Sequence, residues 1–207
     1  NGLHLLASQN LKEAKALALE LDQTNQERKE IQEETVAEAE SLFKRHINLE
    51  EDRVIVLASE IFHPGVIGIA ASRLVDKYRR PTVLIALEEG QGKGSGRSIP
   101  RFNLFKAFTD CSEHLVQFGG HAYAAGLSIA EEQVEAFRTA MNEVGHKYLT
   151  DEDLIPEVKV DAVLNLEEIT RPLYNQIALL EPFGAENPVP SFLSQGVQLQ
   201  EIKFMGK

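Results

Sequence analysis

The sequence predicts an α/β fold: a mixed sheet containing a βαβ unit, preceded by a long helix and followed by a smaller β-containing segment. Three observations carry this. A short apolar run, Val54 to Ala58, is followed by a helical stretch, Gly65 to Tyr78, and then by a second apolar run, Thr82 to Leu87. That order produces two parallel strands joined by a crossover helix. Up to about Arg45, apolar side chains recur at helical spacing, and an acidic stretch, Asp151 to Pro156, separates the sheet region from the C-terminal part of the chain.

Asn10 followed by Glu13 reads as an N-cap with a glutamate at the third helical position. It opens a helix through Leu11, Ala14, Leu17, Ala18 and Leu21. Apolar positions continue at Ile31, Val36, Ala39 and Phe43, so the pattern allows one helix to about Arg45 or two that meet near Asp22 to Asn25. With no helical partner of its own in the sequence, this element reads as a strut between domains. After the βαβ unit, Gly94 to Ile99 is a candidate strand and Leu104 to Phe118 mostly helix. Ala124 to Ile129 is a strand after a glycine turn, and Glu131 to Tyr148 an amphipathic helix. Past the linker, Val158 to Val163 alternates as a strand, Leu166 to Leu180 reads as helix, and Phe192 to Phe204 as further strand. The expected domains are 1–48, 49–150 and 151–207.

At 207 residues and 43% hydrophobic content the chain is long enough for one good core plus smaller units. One cysteine, Cys111, excludes an intrachain disulfide and fits a reducing compartment. No run approaches the roughly 18 apolar residues of a membrane span, and no basic, apolar leader opens the chain. The net charge of −11 argues at first against nucleic acid. Its distribution weakens that objection: residues 49–129 carry nine basic and nine acidic side chains, and the excess of acid lies outside them. A groove for one strand needs only a local positive lining.

That neutral segment holds three glycine-rich stretches. Phe118-Gly119-Gly120-His121-Ala122-Tyr123-Ala124-Ala125-Gly126 offers a turn whose amides can hold an anion, with an imidazole at the rim. Gly92-Lys93-Gly94-Ser95-Gly96-Arg97-Ser98 combines glycines, hydroxyls and cations as a second anion cradle, although it lacks the order of a P-loop. Phe62-His63-Pro64-Gly65-Val66-Ile67-Gly68-Ile69-Ala70-Ala71-Ser72-Arg73 ends a strand and opens a helix, whose N-terminal amides are a third candidate. Cations gather nearby: Arg73, Lys77, Arg79 and Arg80 at one helix end, and Lys93, Arg97, Arg101 and Lys106 around the second stretch.

In this order and spacing the three stretches resemble the DHH-associated domain of the DHH phosphoesterase superfamily, and within it the RecJ family of single-strand DNA exonucleases. The resemblance covers nearly the whole chain. Leu21-Asp22 and Asn25-Gln26-Glu27-Arg28 are similar to that family's connector helix, and Leu180-Glu181-Pro182-Phe183-Gly184 with Asn187-Pro188 to its next segment. Gly-Gly-His alone is shared by several branches; its combination with Leu-Glu-Pro-Phe-Gly is far more specific. Two departures stand out, Phe62 in place of tryptophan and Gly96 where alanine is commoner.

The resemblance implies a connector helix, a substrate-binding DHH-associated domain and the start of an OB-like domain, all from a longer 5′-to-3′ exonuclease of DNA repair and recombination. Such enzymes cut phosphodiesters with Mn2+ or Mg2+ held by an upstream Asp-His-His domain. No Asp-His-His occurs here, and the six histidines are scattered. This chain is therefore expected to hold no metal or cofactor and to bind rather than hydrolyse. The expected grip is Ser95, Arg97 and Ser98 on the 5′-terminal phosphate region. Gly119 and Gly120 with His121 would take a phosphate nearer the metals, where His121 also stabilises developing charge. His63 is a further candidate, and Arg28 with Asn25 would line the path of the strand. Single-stranded DNA is the expected partner, with other repair proteins besides, no membrane, a monomeric state and a cytoplasmic location. The alternatives are a short-oligonucleotide or nucleotide phosphoesterase of the same superfamily and a non-catalytic replication scaffold.

Overall fold

The computed structural model describes residues 2–198 and 200–202. The chain divides into two compact units, Asn1–Ile155 and Pro156–Lys207.

The first unit opens with α1 (Gly2–Ala7) and α2 (Leu11–His46). Of the two readings of the early periodicity, the single helix is the one formed: α2 runs 36 residues without interruption, about 54 Å. Asn10 caps it, its Oδ1 accepting from the amides of Lys12 and Glu13 at 2.9 and 3.4 Å. Only Gln32, Thr35, Ala39 and Phe43 are buried, a three-and-four-spaced stripe in the C-terminal part of the helix. Phe43 stacks on Tyr78 at 3.8 Å between ring centroids.

A five-stranded sheet comes next, in the order β1-β2-β3-β5-β4. β1 (Ile55–Ser59) and β2 (Thr82–Glu88) pair in parallel across α3 (Ile67–Tyr78), which is the expected βαβ unit. Glu89 and Gly90, both at positive φ, make the tight turn into β3 (Gln91–Arg97). β3 is antiparallel to β2 and to β5 (Ala124–Ala130), and β4 (Gln117–Gly120) pairs antiparallel with β5 at the sheet edge. α4 (Leu104–Asp110) and α5 (Val134–Tyr148) complete the unit.

One element of this unit differs from expectation. The helix expected over Leu104–Phe118 stops at Asp110; Ser112–His114 is one 3₁₀ turn and Gln117–Gly120 is strand, because pairing with β5 overrides the local pattern. The stretch at 92–98, where Gly94 to Ile99 is the expected strand, lies almost wholly in β3, the central strand of the sheet. Its three glycines face the core: a Cβ on Gly92 would stand 2.6 Å from Ile85 Cγ2, on Gly94 2.7 Å from Leu127 Cδ1, and on Gly96 2.6 Å from Leu104 Cδ2. Its amides serve β2 and β5. The departure at Gly96 thus has a local cause in the bulk of Leu104.

The sheet has a core on each face. On one, Val56, Val83, Ile85, Leu127 and Ile129 pack with Leu104, Phe108, Phe137 and Met141 of α4 and α5. On the other, Ile55, Leu57, Leu84 and Ala86 pack with Phe62, Ile67, Ala70, Ala71 and Leu74, and with Ala39 and Phe43 of α2. The outer edge of β1 is covered by side chains of α5. Asn142 Oδ1 accepts from the amides of Arg53 and Val54 at 2.8 and 3.0 Å, its Nδ2 donates to Val54 O, and Arg138 Nε donates to Val56 O at 2.9 Å. An edge so covered is closed to further strands.

In the second unit, β6 (Ala162–Val163) and β7 (Phe192–Leu193) pair in parallel, a fraction of the strands expected over 158–163 and 192–204. Phe204 lies outside the described residues. The helix expected from Leu166 breaks in two: a 3₁₀ turn at Leu166–Glu168, with Asn165 and Glu168 as a capping box, and α6 (Arg171–Ala178), capped by Thr170 with Pro172 in its first turn. Asn187 Nδ2 donates to the carbonyls of Leu180 and Pro182, closing the loop that carries Glu181-Pro182-Phe183-Gly184. This is an OB-like segment, partly present. No helix of the described residues is long and apolar enough to cross a membrane.

Candidate functional site

The alternation of β3 separates two jobs. Gly92, Gly94 and Gly96 point into one core, so Lys93, Ser95 and Arg97 point to the opposite face. On that face α3 packs over β2 and β3, whereas Gly126 of β5 and Gln117 and Gly119 of β4 are exposed. The result is a step, with a helix on one side and a floor of nearly bare backbone on the other.

The register arranges this face in rows. Ser95 pairs with Gly126, and Gly126 with Gly119. One row on, Lys93 pairs with Ser128 and Ser128 with Gln117. In the other direction Arg97 pairs with Ala124, whose carbonyl accepts the His121 amide at 2.8 Å. Neighbouring strands lie about 4.8 Å apart and alternate residues about 6.8 Å, so the three rows form a field about 10 Å wide and 14 Å long. A cavity of about 390 Å³ lies over one end of it, lined by Lys93, Gln117, Gly119, Gly126 and Ser128, with Ser95 and Arg97 outside its lining. A Cβ on Gly119 would meet nothing within 4 Å, so this glycine leaves open space on the face.

Gly120 is a glycine for a different reason. Its φ is +139°, and a Cβ there would stand 2.5 Å from both Ala124 O and Ala125 Cα. The hairpin through His121, Ala122 and Tyr123 is fixed by backbone bonds from Ser98 N–H to Tyr123 O and from Leu104 N–H to Ala122 O. The amides do not all converge as the sequence suggests. Alternation of an antiparallel ladder directs the Gly119 amide to Gly126, and the His121 amide is spent on Ala124 O, which leaves Gly120 N–H on the open edge of β4. The His121 ring is exposed and has no hydrogen-bond partner among the described residues.

The charges on the face are uncompensated. Arg97 Nη1 donates to Ser95 Oγ at 3.1 Å and to Gly96 O at 2.8 Å, and neither Arg97 nor Lys93 pairs with a carboxylate among the described residues. Most of the other cations that looked available are engaged, the exposed Arg73 and Arg79 excepted. Lys77 pairs with Glu40, an interaction that raises its pKa; Arg101 pairs with Asp153 at 3.7 Å; and Lys106 lies 4.5 Å from the centroid of the Tyr148 ring. Arg80 donates to the carbonyls of Leu49 and Asp52, and its burial lowers its pKa. A half-buried arginine with no counter-charge beside a hydroxyl and open backbone can take an oxyanion.

Of the residues the sequence nominates, Ser95, Arg97 and Gly119 share this face, with Gly120 and His121 at its end. The others lie elsewhere. The Ser98 hydroxyl donates to Phe102 O at 2.7 Å and serves the loop. His63 lines a neighbouring cavity of about 400 Å³ with Glu60, Phe62, Glu88, Gln91 and Lys93, so Lys93 borders both cavities. His63 Nδ1 accepts the Gly65 amide at 3.1 Å, and its carbonyl takes the amides of Val66 and Ile67. The helix start therefore uses these amides itself and is not the third anion site. Arg28 sits on α2, donating to Gln32 Oε1 and Asn25 Oδ1. Sequence reading missed Gly126, Ser128 and Gln117, since only the register brings them beside Ser95 and Lys93. Among the described residues no group of three or more His, Cys, Asp or Glu side chains is placed to hold a metal ion.

Comparison with known proteins bears on the family and the fold. The DHHA1 domain family matches residues 51–147 and the RecJ OB domain family residues 160–207. The chain is 38% identical over 206 residues to the single-stranded-DNA-specific exonuclease RecJ of Bacillus subtilis, covering 99% of this chain and 26% of that protein. It is 35% identical to the Escherichia coli protein of that name, over 92% of this chain and 34% of that one. The crystal structure of RecJ from Thermus thermophilus with Mn2+ superposes with a TM-score of 0.79 at 32% identity, over 93% of this chain and 28% of that one. The chain thus spans about a quarter to a third of the length of the relatives it matches.

Proposed function

Because the chain belongs to the RecJ family and carries its DHHA1 and OB domains, we propose that it is the substrate-gripping portion of a single-stranded-DNA exonuclease that works from the 5′ end. In this reading Ser95 and Arg97 hold the 5′-terminal phosphate, and the open backbone of Gly119 and Gly126 lets the strand lie against the sheet. His121 and the Gly120 amide meet a phosphate closer to the reacting bond. There the imidazole stabilises charge as it develops. A divalent metal, of the kind solved relatives contain, would supply the activated water from residues outside the face described above. The chain by itself binds without hydrolysing. Arg28 lines the approach of the strand, His63 with Lys93 serves the adjoining cavity, and the assembly works as a cytoplasmic monomer, alongside other repair proteins.

One observation carries the reading: the register sets two cations without carboxylate partners and a hydroxyl beside a floor of glycine. The test uses the complete enzyme with matched oligonucleotides, single-stranded and blunt duplex, labelled at either end. Arg97→Ala and His121→Ala are each expected to slow release of 5′ nucleotides from single strands, at unchanged metal content and melting temperature. Parental rates in both variants, early release from the 3′ end, or equal attack on duplex would reject it.

A further inference from the structure

Gly68 lies in the first turn of α3, at a backbone conformation open to any residue, and a glycine there weakens the helix relative to alanine. The helix gives no reason for it. The neighbouring strand does: a Cβ on Gly68 would stand 2.8 Å from Arg97 Nη2, 3.0 Å from Ser95 Oγ and 3.4 Å from Arg97 Cζ. The guanidinium therefore rests against the Gly68 Cα. Among the described residues both of its hydrogen bonds use Nη1, to Ser95 Oγ and Gly96 O. Nη2, the nitrogen beside Gly68, keeps its donors for a ligand.

We propose that Gly68 is a positioning residue: by carrying no side chain where α3 meets β3, it sets where the unused edge of the Arg97 guanidinium stands. The inference rests on the reading of Arg97 as a phosphate contact. It adds that the contact depends on a residue that touches no substrate. A methyl group at 68 would push the far end of a flexible side chain and no backbone, so the fold absorbs it while the donor moves. Stability and affinity should then change in opposite directions, which loss of structure cannot produce.

The experiment compares the 207-residue chain with Gly68→Ala, Arg97→Ala and the double variant. Each is measured by fluorescence anisotropy on a 3′-labelled oligothymidylate bearing a 5′-phosphate or a 5′-hydroxyl, and by thermal unfolding. Gly68→Ala should weaken binding of the phosphorylated probe about tenfold, the loss expected for one misdirected charge-assisted bond. It should weaken binding of the hydroxyl probe less, and leave the melting temperature unchanged or higher. In the Arg97→Ala background it should change nothing further. Parental affinity in Gly68→Ala when Arg97→Ala binds weakly overturns this inference alone, as does an equal loss in both backgrounds or a loss that tracks a lower melting temperature. If Arg97→Ala binds both probes like the unaltered chain, or the unaltered chain binds neither, the functional reading itself falls.

Discussion

The two adjacent glycines of β4 should respond to the same substitution in opposite ways. Gly120→Ala places a methyl 2.5 Å from Ala124 O and 2.5 Å from Ala125 Cα, both backbone atoms that cannot swing aside, at a φ of +139° that alanine avoids. Backbone strain of this kind costs about 1–3 kcal/mol and forced overlap about as much again, so about 3 kcal/mol is a modest estimate. For a unit of this size that corresponds to roughly 6–12 °C in melting temperature. Gly119→Ala meets nothing within 4 Å. Its stability should stay within about 0.5 kcal/mol of the parent. Its methyl, however, projects over the open face between Gly126 and the cavity, where it lifts a bound strand from the sheet, and affinity for single-stranded DNA should fall by about tenfold. Urea and thermal denaturation give the first quantity, and anisotropy at about 20 °C, where both variants are folded, gives the second. Equal destabilisation by the two variants would refute the assignment of Gly120 to structure. Parental affinity in Gly119→Ala would refute the assignment of Gly119 to the face.

Substitutions in the interior should separate stability from binding. Gly94→Ala drives a methyl against Leu127 Cδ1 and Cγ at 2.7 and 2.8 Å and should cost about 1–3 kcal/mol in denaturant unfolding, with DNA affinity of the folded protein kept. Asn142→Ala strips the Arg53 and Val54 amides of their acceptor and Val54 O of a donor; a loss of about 2–4 kcal/mol is expected, read by urea midpoints, again without effect on binding. Burial first, and then the neighbouring Asp110, Glu113 and Glu143 carboxylates, push the Cys111 thiol up to about 11 from an ordinary 9.0. A raised folded-state value stabilises the protein at neutral pH, and that stability is lost as pH climbs from about 9 through about 11, at about 1.4 kcal/mol per unit. Relative to the parent, Cys111→Ala should flatten the fall of melting temperature across that window.

What could be read from the sequence divides by the range of the interaction that decides it. The Asn10 cap, the βαβ unit and α5 depend on local periodicity and capping and were legible, whereas for α2 the pattern left one helix or two open. β4 was not, because a strand of Gln117, Phe118 and two glycines has no propensity of its own and exists through its pairing with Ser128 to Ala125. The glycines of β3 misled for a related reason: as letters they suggest part of an anion cradle, whereas Ile85, Leu127 and Leu104 demand them in a packed interior. At the candidate site, the types of residue pointed to an anion, and Ser95, Arg97 and Gly119 do meet. Ser98 and the amides of the α3 start fell away because neighbouring carbonyls and the His63 ring engage them, bonds that spacing along the chain does not reveal.

The alternation of β3 has a consequence for folding itself. A strand with glycine at every second position has little to hold it in register, and a slip by one residue is ordinarily cheap for such a sequence. Here a slip would turn Lys93, Ser95 and Arg97 toward Ile85, Leu127 and Leu104, and burying two unpaired cations costs several kcal/mol each. The polar side chains of β3 thus also guard the register of the central strand as it assembles, whatever they bind afterwards. Variants meant to silence the face should keep those three positions polar, since apolar replacements would remove the penalty on the misaligned sheet and blur lost contact with lost register.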